Sequence, residues 1–252
     1  MQQKKKRRRR LNYKNIFIII GISTIIISSF NYFNTKKISN IYITGNTITK
    51  DVDIIRRAKI EKYPAIFKLS KNKIEEDINK SPLIEETKVT KNLLGKLTIE
   101  VKESVPLFYY DSLKEVTLSN NESIEYKTTG LPTLINYVPN DVLENFVNEF
   151  KIIKKDIRSS INEIEYSPSK NKDGKIIDDT RFILKMNDQN TVEMNILNIE
   201  KLNKYLEIFS VIESERPNDR GTLKLDSSTD AFTYVSYSIQ EEEKEEDTEK
   251  DE

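Results

Sequence analysis

The chain lacks cysteine and histidine entirely, and it has only six glycines. Without cysteine there are no disulfides, thiolate metal sites or cysteine-linked lipid anchors, so packing and hydrogen bonds alone must stabilise the fold. Without histidine, imidazole-dependent triads are excluded and the commonest general base and metal ligand is missing. No two glycines have the spacing of a phosphate-binding or dinucleotide-binding loop. These absences favour binding over catalysis.

Carboxylate chemistry is the remaining route to an active site. Asp178-Asp179, or Glu163 with Glu165, could serve as paired acids, and Asp173 together with Asp178 and Asp179 could hold Ca²⁺. Charged residues make up 33% of the chain, so such pairs arise by chance, and no EF-hand spacing supports the calcium alternative. We therefore predict no enzyme activity, no catalytic residues, no metal site and no cofactor.

Residues 16–33 form an apolar run without a charged side chain, and the seven residues Lys4 to Arg10 before it are all basic. Eighteen helical residues span about 27 Å, close to the hydrocarbon thickness of a bilayer. Basic residues stay on the cytoplasmic side, so residues 1–15 are predicted to be cytoplasmic and the rest exported. A cleaved signal peptide is the alternative, but the run is too long and no small-residue cleavage site follows. Nucleic-acid binding by the basic segment is disfavoured because basic residues beside a span set its topology.

The formal charge of zero hides separate blocks of charge along the chain. Residues 1–15 carry eight basic residues and no acid, whereas residues 241–252 carry nine acids and two lysines. The intervening part is nearly neutral and offers no strong field for a polyanion. The acidic segment has no apolar residues, so we expect it to be a disordered tail.

Residues 37–106 show the order β-α-α-β-β. An isoleucine-rich run ends at Gly45-Asn46, a turn signal, and two helical patterns follow, with Ser70 as the predicted N-cap of the second. Glu86 to Asn92 and then Leu97 to Val101 alternate between apolar and polar residues, as half-buried antiparallel strands do. A three-stranded sheet with both helices on one face would bury the apolar positions together. An unrelated small α+β domain is the alternative.

Residues 107–240 predict a second, mixed and β-rich domain with two helices, which makes the overall class α+β. The first helix begins at Asp141 and keeps an apolar stripe through Ile157, and the second ends before Pro217. Lys170 to Asp179 is predicted to be an exposed polar loop. The predicted strands are residues 107–110, 115–118, 123–127, 161–166, 181–186, 191–197, 222–225 and 231–237.

The last predicted strand, Ala231 to Tyr237, is followed only by polar sequence and can therefore lie at a sheet edge. Such an edge accepts a strand from a partner. The period of two predicts that Phe232, Tyr234 and Ser236 share one face and Thr233, Val235 and Tyr237 the other. An ordinary paired strand is the alternative. If the strand is peripheral, Val235→Pro should weaken partner binding and leave the fold mostly intact.

Three sequence features together resemble the bacterial cell-division family FtsQ/DivIB. Ile41 to Asn46 is similar to the opening strand and Gly-Asn of that family's POTRA module, and Glu103 to Pro106 approaches its closing Glu-(Arg or Lys)-x-Pro. Ser104 replaces the usual basic residue, and Leu93-Leu94 stands where the family has Leu-Pro. Gly130 to Leu134 is similar to a segment of the family's β domain. The resemblance covers residues 1–240.

The resemblance implies a non-enzymatic scaffold, concentrated at the division septum, that helps to assemble the septal wall-synthesis complex. Its implied partners are FtsL-type and FtsB/DivIC-type division proteins outside the membrane and, through them, the septal wall synthase. The bilayer contacts residues 16–33, and no nucleic acid is involved. In this family the C-terminal strands of the β domain receive the FtsB/DivIC-type partner. Carried over by position, the partner-binding residues are Leu225, Asp226, Phe232, Thr233, Tyr234, Val235, Ser236 and Tyr237.

Two alternatives remain open at this point. A POTRA-type carrier in envelope protein assembly or secretion would usually have a cleavable signal, repeated POTRA units and a β-barrel, and the sequence shows no repeat. A membrane-tethered cell-wall enzyme is the weaker alternative, because it depends on the acidic pairs described above.

Overall fold

The computed structural model describes residues 13–125, 129–225 and 232–238. The predictions for the basic run Lys4 to Arg10, for Asp226 and Ala231, and for the acidic tail lie outside these residues. The chain divides into two compact units between Glu103 and Ser104.

The first element is the long apolar helix α1, Tyr13–Thr35, of 23 residues. None of its residues is buried, and within the described part of the chain it is the one helix long and apolar enough to cross a membrane. It contains the predicted span of residues 16–33 and extends beyond it at both ends. Ser23 and Thr24 do not interrupt it, because their hydroxyls donate to the carbonyl of Ile20.

Residues 40–103 form the predicted β-α-α-β-β module. Its three strands lie in the order β1-β3-β2, with β1 parallel and β2 antiparallel to the central β3. Ser70 caps its helix as predicted, since its hydroxyl accepts from the backbone N–H of Lys73 at 3.4 Å. A core that includes Ile54, Ile78 and Ile99 joins the helices to the sheet. The elements are β1 Asn40–Thr44, α2 Asp51–Arg57, a short 3-10 helix Ile66–Lys68, α3 Lys71–Asn79, β2 Ile84–Lys91 and β3 Lys96–Glu103.

The two motifs at the ends of this module meet in space. Gly45 has φ +88°, and a Cβ there would overlap the carbonyl oxygen of Val101 on β3, so the turn after β1 requires glycine. The Glu103 carboxylate accepts from the backbone N–H groups of Thr47, Ile48 and Thr49 at 2.7, 2.8 and 2.6 Å. The Gly-Asn turn and the closing glutamate are therefore parts of one hydrogen-bonded structure.

The second unit is built on one nine-stranded sheet in the order β14-β13-β12-β11-β8-β7-β4-β5-β6. Its core includes Phe108, Phe146 and Phe182, and the ring of Phe146 contacts the rings of the other two. The strands are β4 Pro106–Tyr110, β5 Glu115–Leu118, β6 Ser123–Ile124, β7 Thr133–Leu134, β8 Ile161–Tyr166, β9 Ser169–Lys170, β10 Ile176–Asp178, β11 Arg181–Met186, β12 Thr191–Asn195, β13 Gly221–Lys224 and β14 Thr233–Ser236; the helices are α4 Asn140–Phe150, α5 Lys155–Ser159 and α6 Tyr205–Glu215.

The apolar stripe from Asp141 to Ile157 does not lie on one helix. It breaks between α4 and α5, where the Lys154 N–H donates to the Asn203 side chain at 2.8 Å and the Arg158 guanidinium donates to the Ile153 carbonyl at 3.0 Å. Burial lowers the pKa of Arg158, whose positive charge lies at the carbonyl end of α4. Ile157 is buried as predicted, so the pattern identified the core but not the break.

Two further differences concern short elements. The predicted polar loop of residues 170–179 contains part of a small hairpin, β9 with β10, outside the main sheet. The strand predicted for residues 191–197 ends at Asn195, where the Asn195 side chain accepts from the Asn198 N–H and caps a 3-10 helix, Ile196–Lys204. Neither difference changes the order of strands in the sheet.

Candidate partner-binding edge

The last described strand, β14, is the outermost strand at one end of the nine-stranded sheet. It pairs antiparallel with β13, with Thr233 opposite Lys224 and Ser236 opposite Gly221. Among the described residues, no strand pairs with its other side. The predicted edge position of the C-terminal strand is thus what the structure has, over Thr233–Ser236.

The register of β14 determines which backbone groups face outward. The Tyr237 N–H donates to the Arg220 carbonyl at 2.9 Å. Hydrogen-bonded pairs alternate along an antiparallel ladder, so Val235 and Thr233 also direct their N–H and C=O groups toward β13. Tyr234 and Ser236, which form the intervening pairs, direct theirs to the open edge. Val235→Pro would therefore remove a donor that faces β13 rather than one that faces a partner, and this register does not support the expectation that the change leaves the fold mostly intact.

The two faces of β14 follow the predicted alternation. Tyr234 packs its ring against Phe209 of α6, with centroids 5.8 Å apart, and the buried Ser236 hydroxyl donates to Asp219 at 2.6 Å. On the other face Thr233 is exposed, and the Tyr237 hydroxyl bonds to that of Thr191 at 2.6 Å. The inward face holds the strand on the domain and leaves its outer edge open.

An apolar groove lies beside this edge. Its volume is about 390 Å³, and it is lined by Phe232 together with Lys204, Glu207, Ile208, Val211 and Ile212. Val211 is 52% exposed and Phe232 is 37% exposed. The sequence analysis predicted this helix but not the groove. The available signal was Val211, an exposed apolar residue of α6.

The structure does not bring all the predicted partner-binding residues to the surface. Leu225 is fully buried, and its N–H donates to the Glu193 carbonyl at 2.8 Å, so its side chain belongs to the core. Phe232 and the residues from Thr233 to Tyr237 lie together at the edge. The alternation of apolar and polar residues in the sequence could not show that Leu225 is buried. Its burial depends on which other parts of the chain pack against it.

Comparison with known proteins shows which proteins the chain is similar to. The model of the FtsQ-type POTRA domain matches residues 36–104. The chain is 26% identical over 211 residues to the cell division protein DivIB of Listeria monocytogenes, covering 80% of this chain and 76% of that protein. It is 24% identical to DivIB of Enterococcus faecalis, covering 92% of this chain and 62% of that protein. The chain belongs to the FtsQ/DivIB family.

Two further matches to this family cover a smaller part of the chain. DivIB of Clostridium acetobutylicum is 36% identical, over 81 residues that make up 32% of this chain and 31% of that protein. The solved extracytoplasmic domain of DivIB from Geobacillus stearothermophilus is 19% identical, with a TM-score of 0.34, covering 45% of this chain and 97% of that domain.

In this FtsQ/DivIB chain a polar network fixes the strand beside the edge. The Tyr205 hydroxyl donates to both carboxylate oxygens of Asp188, at 2.9 and 2.7 Å, and the Gly221 N–H donates to the Asn190 side chain at 3.0 Å. Burial, with Asp188 as the second cause, raises the pKa of Tyr205, so the phenol stays protonated and keeps donating. Because Gly221 begins β13, this network positions the strand on which β14 lies.

Asp178, one of the acidic residues considered for catalysis or calcium, has structural contacts. Asp178 accepts from the Thr180 hydroxyl at 2.6 Å and from its N–H at 2.9 Å, and the hydroxyl contact in particular lowers the pKa of Asp178. In the ranges that the structure describes, no group of three or more acidic residues has the geometry to hold a metal ion. Asp178 thus stabilises the turn before β11.

Proposed function

We propose that this chain is a non-enzymatic scaffold of the bacterial division complex. Its curated relatives carry the name cell division protein DivIB, and its FtsQ-type POTRA module follows an apolar helix that can span the membrane. The basic residues before the helix support a cytoplasmic N-terminus, which exports residues 37–106 and 107–240 as the POTRA and β domains. Concentration at the septum follows from the division role.

The partner site in this proposal is the outer edge of β14. A segment of an FtsB/DivIC-type protein adds as a strand and exchanges hydrogen bonds with Tyr234 and Ser236, the residues whose backbone groups face outward. Alternate side chains of that segment enter the groove beside Phe232 and Val211. FtsL-type proteins join through the same partner, and the septal wall synthase is reached indirectly. The open edge beside an apolar groove is the observation that carries this proposal.

The free energy of binding expected at this edge indicates that the edge does not act alone. Two outward residues offer about four backbone hydrogen bonds, each worth about 1 kcal/mol net. Burying roughly 150 Å² of apolar surface in the groove adds about 4 kcal/mol, and association costs remove much of this sum. Weak intrinsic affinity suits a partner anchored in the same membrane, because co-anchoring raises the effective concentration. We therefore expect binding to depend on both proteins being membrane-bound.

Disulfide cross-linking tests the partner site directly, because the chain contains no cysteine of its own. Full-length Thr233→Cys protein is reconstituted in vesicles with a DivIC-type partner that carries one cysteine at successive positions. Strand addition predicts cross-links at alternate partner positions. The matched control is Ser123→Cys on β6, the edge strand at the other end of the same sheet. Equal cross-linking at both edges, or none at Thr233, would refute the assignment.

Two cellular measurements test the rest of the proposal. Protease added to intact protoplasts should digest the domains beyond α1, and a protected C-terminal part would contradict the proposed orientation. A fluorescent fusion should collect at midcell, whereas uniform envelope fluorescence would contradict the septal role. Depletion that left septation normal would exclude the scaffold role altogether.

A further inference from the structure

The hairpin between β2 and β3 presents two neighbouring leucines at its tip. Leu93 is 61% exposed and Leu94 is 74% exposed. The turn is held in shape, because the Asn92 side chain accepts from the N–H groups of Leu94 and Lys96 at 3.0 and 2.9 Å, and Gly95 has φ +95°. Turns of this size are usually polar. Two exposed leucines on an ordered tip therefore indicate a surface that is covered by something apolar.

The position of this tip along α1 indicates what covers it. The Tyr32 hydroxyl, in the last turn of α1, donates to the Leu93 carbonyl at 3.0 Å. The first charged residue after the apolar run is Lys36. Tyrosines at the ends of membrane helices lie at the boundary between acyl chains and headgroups. A tip bonded to Tyr32 lies at that same depth.

Further contacts hold the module against the end of α1. Phe33 packs edge-on against Phe67, with ring centroids 4.6 Å apart. Just past the helix, the Lys36 carbonyl accepts from the Ile66 N–H at 2.9 Å, and the Ser39 N–H donates to the Gly95 carbonyl at 2.8 Å. The chain therefore passes from α1 into the module without a flexible linker. Because of this, the tip stays close to the membrane surface.

The charge around the tip is of one sign. The three segments that meet there, residues 32–39, 62–74 and 87–99, contain nine lysines and no acidic residue. The far ends of the same strands carry Glu85, Glu86 and Glu103 instead. Since the chain as a whole has no net charge, this asymmetry directs the basic end of the module toward an anionic surface.

We propose that the Leu93-Leu94 tip inserts into the headgroup–acyl boundary of the outer leaflet that α1 crosses, while the surrounding lysines contact anionic lipid headgroups. Apolar side chains with flanking lysines are the composition of interfacial anchors. The tip and α1 together then fix the tilt of the POTRA module on the membrane. This inference rests on α1 crossing the bilayer and is independent of the division partners.

Depth-dependent fluorescence quenching tests the inference on the full-length chain alone in phosphatidylcholine–phosphatidylglycerol vesicles. An environment-sensitive dye is attached to Leu94→Cys, a change at an exposed position that leaves the core intact. We expect blue-shifted emission that is quenched more by a nitroxide near the lipid headgroup than by one deep in the acyl chains. The dye on Glu86→Cys, near the other end of β2, should keep its water-like emission, and on Ile25→Cys within α1 it should be quenched by the deep nitroxide.

Each other outcome overturns the inference. Water-like emission at Leu94→Cys, like that at Glu86→Cys, places the tip in solvent. Blue-shifted emission that no lipid nitroxide quenches places it against protein, which in these vesicles is a second copy of the chain. Insertion that is unchanged when phosphatidylglycerol is omitted and salt is raised removes the proposed role of the lysines.

Discussion

The backbone N–H groups of the turn after β1 differ from those at the outer edge of β14, because only the first are bonded within the described part of the protein. In the turn, the Glu103 carboxylate accepts from the backbone of Thr47, Ile48 and Thr49. At the edge, Tyr234 and Ser236 direct their backbone groups outward, and no described strand covers them. Backbone donors must be satisfied by protein or by water. The POTRA turn is therefore complete by itself, whereas the β14 edge has capacity for a second chain.

The largest expected effect is a change that breaks the closed turn. Gly45→Ala would force a side chain into the Val101 carbonyl at φ +88°, and we expect a loss of about 2 to 4 kcal/mol in the free energy of unfolding of the POTRA module. Hydrogen exchange of the buried amides of β3 measures it.

Gly174→Ala is the matched control for that prediction. Gly174 has φ +79° but open space around it, so only the conformational cost of about 1 kcal/mol should appear, in the β domain that carries it. Equal losses at both glycines would mean that the close approach to Val101 contributes nothing.

Proline substitutions at the neighbouring positions 234 and 235 of β14 should differ in their effect on stability, because one N–H faces outward and the other faces β13. Val235→Pro removes a donor that faces Thr222 on β13 and leaves a buried carbonyl unpaired, at a cost of about 2 to 3 kcal/mol. Tyr234→Pro removes an outward donor and should cost less than about 1 kcal/mol beyond Tyr234→Ala, which loses the same ring contact with Phe209.

Partner affinity distinguishes the same variants in a second way. Tyr234→Pro should bind the DivIC-type partner more weakly than Tyr234→Ala, because only the proline lacks the outward N–H. Chemical denaturation gives the stabilities and titration gives the affinities. If Val235→Pro proved the milder change for stability, the derived register of β14 would be wrong.

An intermediate effect is expected from the carboxylate that closes the turn. Partial burial alone would raise the pKa of Glu103, but the backbone hydrogen bonds from Ile48, Thr47 and Thr49 together outweigh it and lower the pKa to about 2. Because the pKa is depressed in the folded state, this stabilisation is present above the unfolded value of about 4.5 and is lost as the pH falls toward 2.

Glu103→Gln tests this balance. At neutral pH we expect a loss of about 1 to 2 kcal/mol, a figure already reduced for the exposed fraction of the carboxylate. The parent and the variant should converge in stability near pH 2, which acid titration of the unfolding free energy would show. A gap that persisted at low pH would mean that the glutamate acts through packing and not through its charge.

The sequence predicted most of what depends on local pattern. Alternation in Leu97 to Val101 located β3, and Ser70 located the start of α3, because side-chain period and capping are read within a few residues. The break between α4 and α5 was not predictable in this way, because one of its N–H groups donates to the side chain of Asn203, which is distant in the sequence.

The candidate site was predictable only in part for the same reason. The final position of β14 in the chain indicated an edge, but the direction of each N–H depends on its register with β13. Likewise, Leu225 is a strand residue by pattern, and only its placement among other strands makes it core. The groove beside Phe232 arises where α6 and β14 lie together, which no single segment encodes.

The smallest change in stability and the most selective change in binding should come from the groove. Val211→Ser alters a residue that is 52% exposed, so the free energy of unfolding should move by no more than about 0.5 kcal/mol. If the partner's side chain covers Val211, losing that apolar contact should raise the dissociation constant about three- to tenfold, equivalent to about 1 kcal/mol. Leu113→Ser, 56% exposed in the turn between β4 and β5, is the matched control and should leave affinity unchanged. Equal weakening by both variants would indicate a general effect of surface polarity, and no weakening by Val211→Ser would leave the edge of β14 as the whole site.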